Sequence, residues 1–376
     1  MKEENRRYAE EAFEIVEHAA KKIGSRLPGS DGEKEYAAYM GDKLRSIGIE
    51  PVREEFAVSP RASIGGIPYA GYLGLIMSAL VYVALHLSAV WYGMALASVV
   101  CWVWLILSVF LYKTWFDMFF KQEISQNTYG ELLPPDGKYD YTIILSGHTD
   151  TSWCWRHSAH ASKFKKTKPA MGLVATFAKV GFGVICFLFL TAVSIAMTVI
   201  SSGVYFGEVW ALKIANSASF ANFLFAMHFL PVVTAIGCMF VVMWADPNPR
   251  NASRGAMDNA TGCALSFAVT KYFHDHPEKM PKNCRIIDFN CGSEEAGLRG
   301  SIAFTREHKG EPILENTWNI NIDSVADKDF FEVVIKDDWQ FCRFDTDLEK
   351  MFKDTFNELG IVSKTNGCIH NPVGGC

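Results

Sequence analysis

The 376-residue sequence contains no CxxC pair among its ten cysteines and carries no excess of positive charge. Without CxxC spacing, a zinc knuckle or a thioredoxin-like redox site is disfavoured. Scattered cysteines in a chain this long are typical of reduced, buried thiols rather than of a disulfide framework. A net charge of −5 and a pI near 6.1 also predict that nucleic acid is not a partner.

The first 22 residues lack the uninterrupted apolar run of a signal peptide. They are charged throughout, and apolar residues such as Phe13 and Val16 recur at helical spacing, which predicts an amphipathic helix. A second such helix is predicted over 33–47, after turn-forming residues and before Gly48. A strand is predicted over 49–56.

Charged residues are nearly absent from two blocks, 66–112 and 172–245. Each block holds two apolar runs of about 20 residues or more, which is enough to cross a hydrocarbon core of ~30 Å. The four runs are 69–87, 92–112, 173–200 and 220–244, and Lys179 is the single charge within them. We therefore predict two transmembrane helical hairpins, and tryptophan and tyrosine near the ends of the runs favour this over buried helices of a soluble protein.

Basic residues flank the outer ends of both hairpins, whereas the two tips contain only Lys213. By the positive-inside rule, this asymmetry places the remaining segments in the cytoplasm. The prediction is an integral membrane protein with four transmembrane helices and the lipid bilayer as a partner.

Outside the hairpins, short apolar strands alternate with helical segments. Strands are predicted over 141–145, 285–289 and 318–322, and helices over 261–273, 298–307 and 347–359. This alternation predicts an α/β fold, a three-layer mainly parallel (mixed) sheet with helices on both faces. One domain would comprise 1–65, 113–171 and 246–376, interrupted by hairpins at 66–112 and 172–245.

Histidine and acidic residues follow the three predicted strands or precede a helix. They are His148, Asp150, Asp258, Glu294, Glu295 and Asp323. Ligands of such sheets gather at the carboxyl ends of the strands. Imidazole and carboxylates are metal ligands, Asp150 could hold the second N–H of His148, and one of two adjacent glutamates could act as a general base. Converging carboxylates also need a cation to offset their repulsion.

The motifs HTD, GAMDNATG, SEEAGLRGS and NIDS, in this order, resemble the M28 family of zinc aminopeptidases, which are di-zinc metallopeptidases. Glu294 follows Asp258 by 36 residues and Asp323 follows Glu295 by 28, as is typical of that family. The segment 25–56 also resembles the family's N-terminal helix and strand. The resemblance covers nearly all of the sequence outside the hairpins and implies a zinc-exopeptidase-like fold.

The resemblance implies a role for each of these residues. His148, Asp258 and Asp323 would hold one Zn²⁺, and Asp258 would bridge to a second Zn²⁺ bound by Glu295. Glu294 would be the general base and Asp150 would orient His148. The implied function is a membrane-bound aminopeptidase that removes N-terminal residues from peptides with a water activated by two metal ions.

Two features depart from the family pattern. His148 and Asp258 are 110 residues apart because the second hairpin is inserted between them, which would tie the site to the membrane surface. The family's final histidine ligand is not visible, and His370 comes too early for it. The resemblance therefore implies a C-terminally truncated chain whose last ligand lies beyond Cys376.

Three other functions are compatible with parts of the sequence. A carboxypeptidase or another amide hydrolase could use the same fold and metals. A non-catalytic membrane receptor or scaffold could retain the fold, although the complete set of acidic residues argues against it. A transporter is disfavoured because Lys179 is the one charge inside the apolar runs.

Overall fold

The computed structural model describes residues 3–154, 169–244, 253–325, 331–337 and 340–367. The chain divides into two compact units. The α/β unit comprises Met1–Ser63, Phe110–Trp153 and Asn248–Cys376, and the apolar unit comprises Ile64–Val109 and Cys154–Pro247.

The described secondary structure alternates between the two units along the chain. The helices are α1 (Glu3–His18), α2 (Asp31–Ser46), α3 (Ile67–Ala84), α4 (Ala89–Leu105), α5 (Pro169–Tyr205), α6 (Val209–Ala215), α7 (Ala218–Ala226), α8 (Leu230–Val242), α9 (Thr261–Asp275), α10 (Arg299–Glu307) and α11 (Thr346–Glu358). The strands are β1 (Val52–Val58), β2 (Glu123–Leu132), β3 (Tyr141–His148), β4 (Cys284–Cys291), β5 (Thr317–Asn321), β6 (Phe331–Asp337), β7 (Cys342–Arg343) and β8 (Ser363–Gly367). Short π-helical turns extend α1 over Ala19–Ile23 and α4 over Ile106–Phe110, and another, Ala256–Ala260, leads into α9.

The α/β unit is built on a five-stranded sheet with the order β1-β2-β4-β3-β5. β3 lies between β4 and β5 and is parallel to both, whereas β2 is antiparallel to β1 and to β4. An α/β fold with a mixed sheet is confirmed. The prediction of a mainly parallel sheet is wrong, since two of the four described pairings are antiparallel.

The antiparallel half arises from β2, which the sequence analysis did not predict. Its centre is polar, and Ser125, Gln126, Asn127 and Thr128 are all buried. Their side chains are paired instead of packed: the Ser125 hydroxyl donates to Glu33 and the Asn127 amide donates to the Gly300 carbonyl. A buried strand of this kind shows no apolar alternation, which is the signal that predicts strands.

Helices cover both faces of the sheet. Alternate residues of a strand point to opposite faces, so Ile286 of β4 packs near Phe273 of α9 whereas Ile287 packs with Phe304 of α10. A larger core joins α1, α2 and α9, with Ile15, Tyr36 and Phe267 fully buried at its centre.

A smaller three-stranded sheet follows, with the order β7-β6-β8. β6 is parallel to β8 and antiparallel to β7. The amphipathic helix α11 was predicted, and its Phe356 ring lies 5.8 Å from the ring of Phe331 on β6.

Within the described residues, three helices are long and apolar enough to cross a membrane: Ile64–Ala84, Ala89–Phe110 and Ala178–Tyr205. The run predicted over 220–244 differs from a straight span. It forms α7 and α8, which are bent by 48° at a short break. Pro231 lies at the start of α8 and cannot donate a hydrogen bond into the preceding turn, which explains why the helix does not continue.

Candidate metal centre

The strand ends of the α/β unit converge with the start of α9. His148 is the last residue of β3, Asp323 follows β5 by two residues, and Asp258 lies in the π-helical turn before α9. β3 and β5 are parallel neighbours, so their carboxyl ends meet at one edge of the sheet. The structure thereby brings together three residues that are up to 175 positions apart in sequence.

The distances within this group fit a metal ion. His148 Nε2 lies 3.0 Å from Asp258 Oδ1 and 3.8 Å from Asp323 Oδ2. One ligand atom from each of the three residues lies within 4.8 Å of the others. Ligands of a tetrahedral zinc at ~2.0–2.2 Å would be about 3.3–3.6 Å apart, so a zinc ion requires only small adjustments.

The hydrogen-bonding state of the same three atoms also fits a cation. His148 Nε2, Asp258 Oδ1 and Asp323 Oδ2 are buried and have no hydrogen-bond partner among the described residues. Buried polar atoms are nearly always satisfied. Two unsatisfied oxygens that face an imidazole nitrogen therefore fit the ligand set of a divalent cation.

Asp150 fixes the orientation of His148. It is fully buried and lies 3.2 Å from His148 Nδ1 through its Oδ1 atom. Asp150 also accepts the backbone N–H groups of Glu294 and Glu295, each at 2.9 Å. A proton on Nδ1 therefore points to Asp150, which leaves the Nε2 lone pair free for a metal.

Glu294 lies beside the three ligands. Its Oε2 is 3.8 Å from His148 Nε2, and its side chain is 14% exposed. Burial raises the pKa of Glu294 well above its usual range, and the charges of Glu295 and Asp323 raise it further although His148 opposes them. A glutamate with a raised pKa beside a metal-binding group is suited to hold and release a proton.

Burial and neighbouring charges also shift the pKa values of Glu295, Asp323 and His148. Burial, with the charge of Asp258, raises the pKa of Glu295 to about 8, and burial raises that of Asp323 to about 6. Burial lowers the pKa of His148, but the close carboxylates of Asp150 and Asp258 outweigh it and hold that pKa well above 6.5. A divalent cation would stabilise the charged form of these buried carboxylates and offset their mutual repulsion.

Asn259 connects two ligand loops and was missed by the sequence analysis. Its side-chain carbonyl accepts the backbone N–H of Gly262 at 2.9 Å, which caps α9. Its amide donates to the Ile322 carbonyl at 2.9 Å, next to Asp323. Gly262 allows this approach, because a Cβ atom there would lie 2.1 Å from the Ile322 oxygen. The DNATG motif itself contained the signal, since Asn before a helix is a common cap.

One segment of the chain is similar to a known protein family. Residues 239–366 match the family model described as peptidase family M28. Over this segment the chain is similar to that family. The matched segment contains Asp258, Glu294, Glu295 and Asp323, whereas His148 and Asp150 precede it.

Solved structures similar to this chain include a zinc aminopeptidase, a Zn-dependent exopeptidase and a glutaminyl cyclase. A zinc aminopeptidase from Bacillus subtilis is 12% identical, with 96% of this chain and 80% of that chain covered and a TM-score of 0.47. A Zn-dependent exopeptidase from Parabacteroides distasonis is 11% identical, with 96% of this chain and 77% of that chain covered and a TM-score of 0.45. A glutaminyl cyclase from Bacteroides thetaiotaomicron bound to N-acetylhistamine is 11% identical, with 96% of this chain and 76% of that chain covered and a TM-score of 0.44. Comparison with curated proteins gives no match.

Two residues discussed in the sequence analysis lie outside the His148, Asp258 and Asp323 group. Glu295 is buried next to it, but within the described residues it is not one of the mutually close ligands. Its role as ligand of a second metal stays a prediction. His370 lies outside the described residues.

Proposed function

We propose that this protein is a membrane-bound, zinc-dependent aminopeptidase that hydrolyses N-terminal residues of peptides. The observation that carries the proposal is the set of unsatisfied ligand atoms on His148, Asp258 and Asp323, with the Glu294 carboxylate 3.8 Å from His148 Nε2. The match to peptidase family M28 supports the same reaction class.

In this proposal His148, Asp258 and Asp323 hold one zinc ion, and Asp258 with Glu295 contributes to a second. Zinc held by these residues would supply Lewis acidity that polarises the substrate carbonyl and lowers the pKa of water at the site. Glu294 accepts a proton from the attacking water and delivers it to the leaving amine. Its raised pKa favours the first step, because a carboxylate with a raised pKa accepts a proton more readily.

Asp150 supports this reaction without contacting the substrate. It holds His148 in the tautomer that presents Nε2 to the metal and fixes the backbone of Glu294 and Glu295. The buried Asp150 thus positions both the proposed general base, Glu294, and the proposed metal ligand, His148.

We further propose that the apolar helices anchor the enzyme in a bilayer. Three helices meet the length and hydropathy of a span, and α7 with α8 would form a bent fourth. The basic residues outside the hairpins favour a cytoplasmic α/β unit.

The proposal is tested with the full chain purified in detergent. Zinc content and hydrolysis of leucine-p-nitroanilide are compared with hydrolysis of the N-acetylated analogue, which lacks the free amine. We expect bound zinc and cleavage of the free-amine substrate only. Absence of zinc, or equal cleavage of both substrates, would contradict an aminopeptidase.

Glu294→Gln separates the general base from the ligands. We expect it to lower turnover by ~10²–10⁴-fold, the usual contribution of a general base, while zinc content stays at the wild-type level. Asp323→Asn is the matched variant and should lower zinc content. Loss of zinc in Glu294→Gln would show that Glu294 is a ligand.

A further inference from the structure

Arg26 is a charged side chain buried at the base of the candidate metal centre. It lies in the loop between α1 and α2 and is 0% exposed. Its guanidinium stacks on the ring of Tyr36, with 4.7 Å from Cζ to the ring centroid. Burial of an arginine is costly unless its donors are satisfied, so the groups that satisfy them identify what the residue does.

The guanidinium of Arg26 spans the two loops that carry metal ligands. Its Nε donates to the carbonyl of Thr149, the neighbour of His148, at 2.7 Å. Its Nη1 donates to the carbonyl of Arg254 at 2.9 Å and its Nη2 to that of Gly255 at 2.8 Å, three residues before Asp258. All of its described hydrogen bonds go to main-chain carbonyls, including one to Gly24, and none to a carboxylate.

The main chain of Arg26 strengthens the link to the first loop. Its N–H donates to the Thr151 hydroxyl at 3.0 Å, and its carbonyl accepts the Thr151 N–H at 2.9 Å. Arg26 is therefore bonded on both sides of the HTD motif, at Thr149 and at Thr151.

The second loop is shaped to meet this guanidinium. Gly255 has a φ of +53°, and a Cβ atom there would lie 2.2 Å from the Thr151 methyl group and 2.6 Å from Arg26 Nη2. A side chain would push the loop of Asp258 away from the loop of His148. The glycine and the arginine together set how closely the two loops approach.

We infer that Arg26 is a positioning residue that holds the His148 and Asp258 loops at the spacing a zinc ion requires. The inference rests on the proposed zinc site. Only arginine offers a planar fork of donors that can reach three carbonyls on two loops at fixed angles; lysine is a single point charge. Arg26 is not a ligand and acts through the backbone of the residues that are.

The decisive measurement is the zinc dissociation constant, determined by chelator competition on the full chain in detergent. We expect Arg26→Lys to weaken zinc binding ~10–100-fold, the range typical of residues that orient metal ligands. Thr151→Val, which keeps the guanidinium and removes one hydrogen bond to Arg26, should weaken it less. This variant also allows a test should Arg26→Lys not fold.

Arg285 provides a matched control. It is 5% exposed, stacks on Tyr139 and donates to Thr142, Glu131 and the Pro312 carbonyl, all away from the ligand loops. Arg285→Lys should lower the unfolding temperature of the metal-free protein as Arg26→Lys does, but leave the zinc dissociation constant within twofold of wild type.

The outcomes separate the two proposals. Zinc binding by wild type with an unchanged dissociation constant in Arg26→Lys and Thr151→Val would overturn the positioning role and leave the proposed function intact. An equal loss of affinity in Arg285→Lys would also overturn it, because the effect would then follow general stability. Absence of zinc binding by wild type would refute the proposed function itself, and the inference with it.

Discussion

Replacing Asp150 by asparagine changes the hydrogen bonding of the candidate metal centre while keeping its shape. The Oδ1 atom of Asp150 meets both His148 Nδ1, at 3.2 Å, and the Glu294 N–H, at 2.9 Å. The Oδ2 atom accepts the Glu295 N–H at 2.9 Å. One of these two positions must become an NH₂ group in the variant.

Both orientations of the asparagine disturb the site. With NH₂ in place of Oδ1, His148 must accept at Nδ1, so its remaining proton moves to Nε2, the atom that faces Asp258 and Asp323. The Glu294 N–H then also faces a donor. With NH₂ in place of Oδ2, the tautomer survives but the Glu295 N–H loses its acceptor.

The cost of either orientation can be estimated. Leaving one buried N–H without an acceptor costs ~1–3 kcal/mol. A factor of ten in affinity corresponds to ~1.4 kcal/mol. We therefore expect Asp150→Asn to bind zinc ~10–100-fold more weakly than wild type in a chelator competition assay.

Asp288→Asn is the matched control for this experiment. Asp288 is also fully buried and accepts hydrogen bonds from Ser266 and Asn290, and none of the hydrogen bonds described for it involves His148 or the glutamates. Its variant should bind zinc as wild type does. Equal zinc affinity in Asp150→Asn and wild type would refute the argument that Asp150 selects the tautomer.

Three further predictions concern the second metal, pH and topology. Glu295→Gln should lower the number of zinc ions bound per chain, measured by elemental analysis, and an unchanged stoichiometry would remove Glu295 from the ligands. Because burial raises the pKa of Asp288 from 3.8 to about 7, its ionisation should destabilise the fold progressively as pH rises from about 4 to about 7, by on the order of 4 kcal/mol in total. Asp288→Asn should flatten this slope in thermal unfolding, and a slope equal to that of wild type would exclude Asp288 as its source. A cysteine that replaces the exposed Val209, in the segment between α5 and α7, should react with a membrane-impermeant maleimide in intact cells. The exposed Cys342 should react only after the cells are lysed. Labelling of both cysteines in intact cells would contradict a cytoplasmic α/β unit.

The sequence predicted the elements whose burial follows a simple period. The strands β3 and β4 contain pairs of adjacent isoleucines, β5 alternates apolar and polar residues, and α2, α9 and α11 are amphipathic. Each of these elements was predicted within about three residues of its observed ends. β2 was missed because its buried residues are polar and are satisfied by partners distant in sequence, such as Glu33. β6 and β8 were missed as well, and their mostly part-exposed residues show no clean alternation.

The candidate site was predictable where residue type and strand end coincide. His148, Glu294 and Asp323 each follow a predicted strand, and the fold brings them to one edge. The supporting residues Arg26, Glu33 and Asn259 were not predictable in the same way. Glu33, for example, accepts the N–H and the hydroxyl of Ser293 across 260 residues of sequence, and such long-range pairing has no local pattern.

The number of membrane crossings between His148 and Asp258 constrains how the bent pair α7–α8 could lie in a bilayer. His148 and Asp258 belong to one unit and approach to 3.0 Å, yet α5, α7 and α8 lie between them in the chain. If α5 crosses the bilayer, the chain must cross an odd number of further times to return to the same side. If the bent pair were a re-entrant loop, which enters and leaves the bilayer on the same side, Asp258 and His148 would lie on opposite sides of the bilayer. If α5 spans a bilayer, the proposed site therefore requires α7 and α8 together to form one complete crossing.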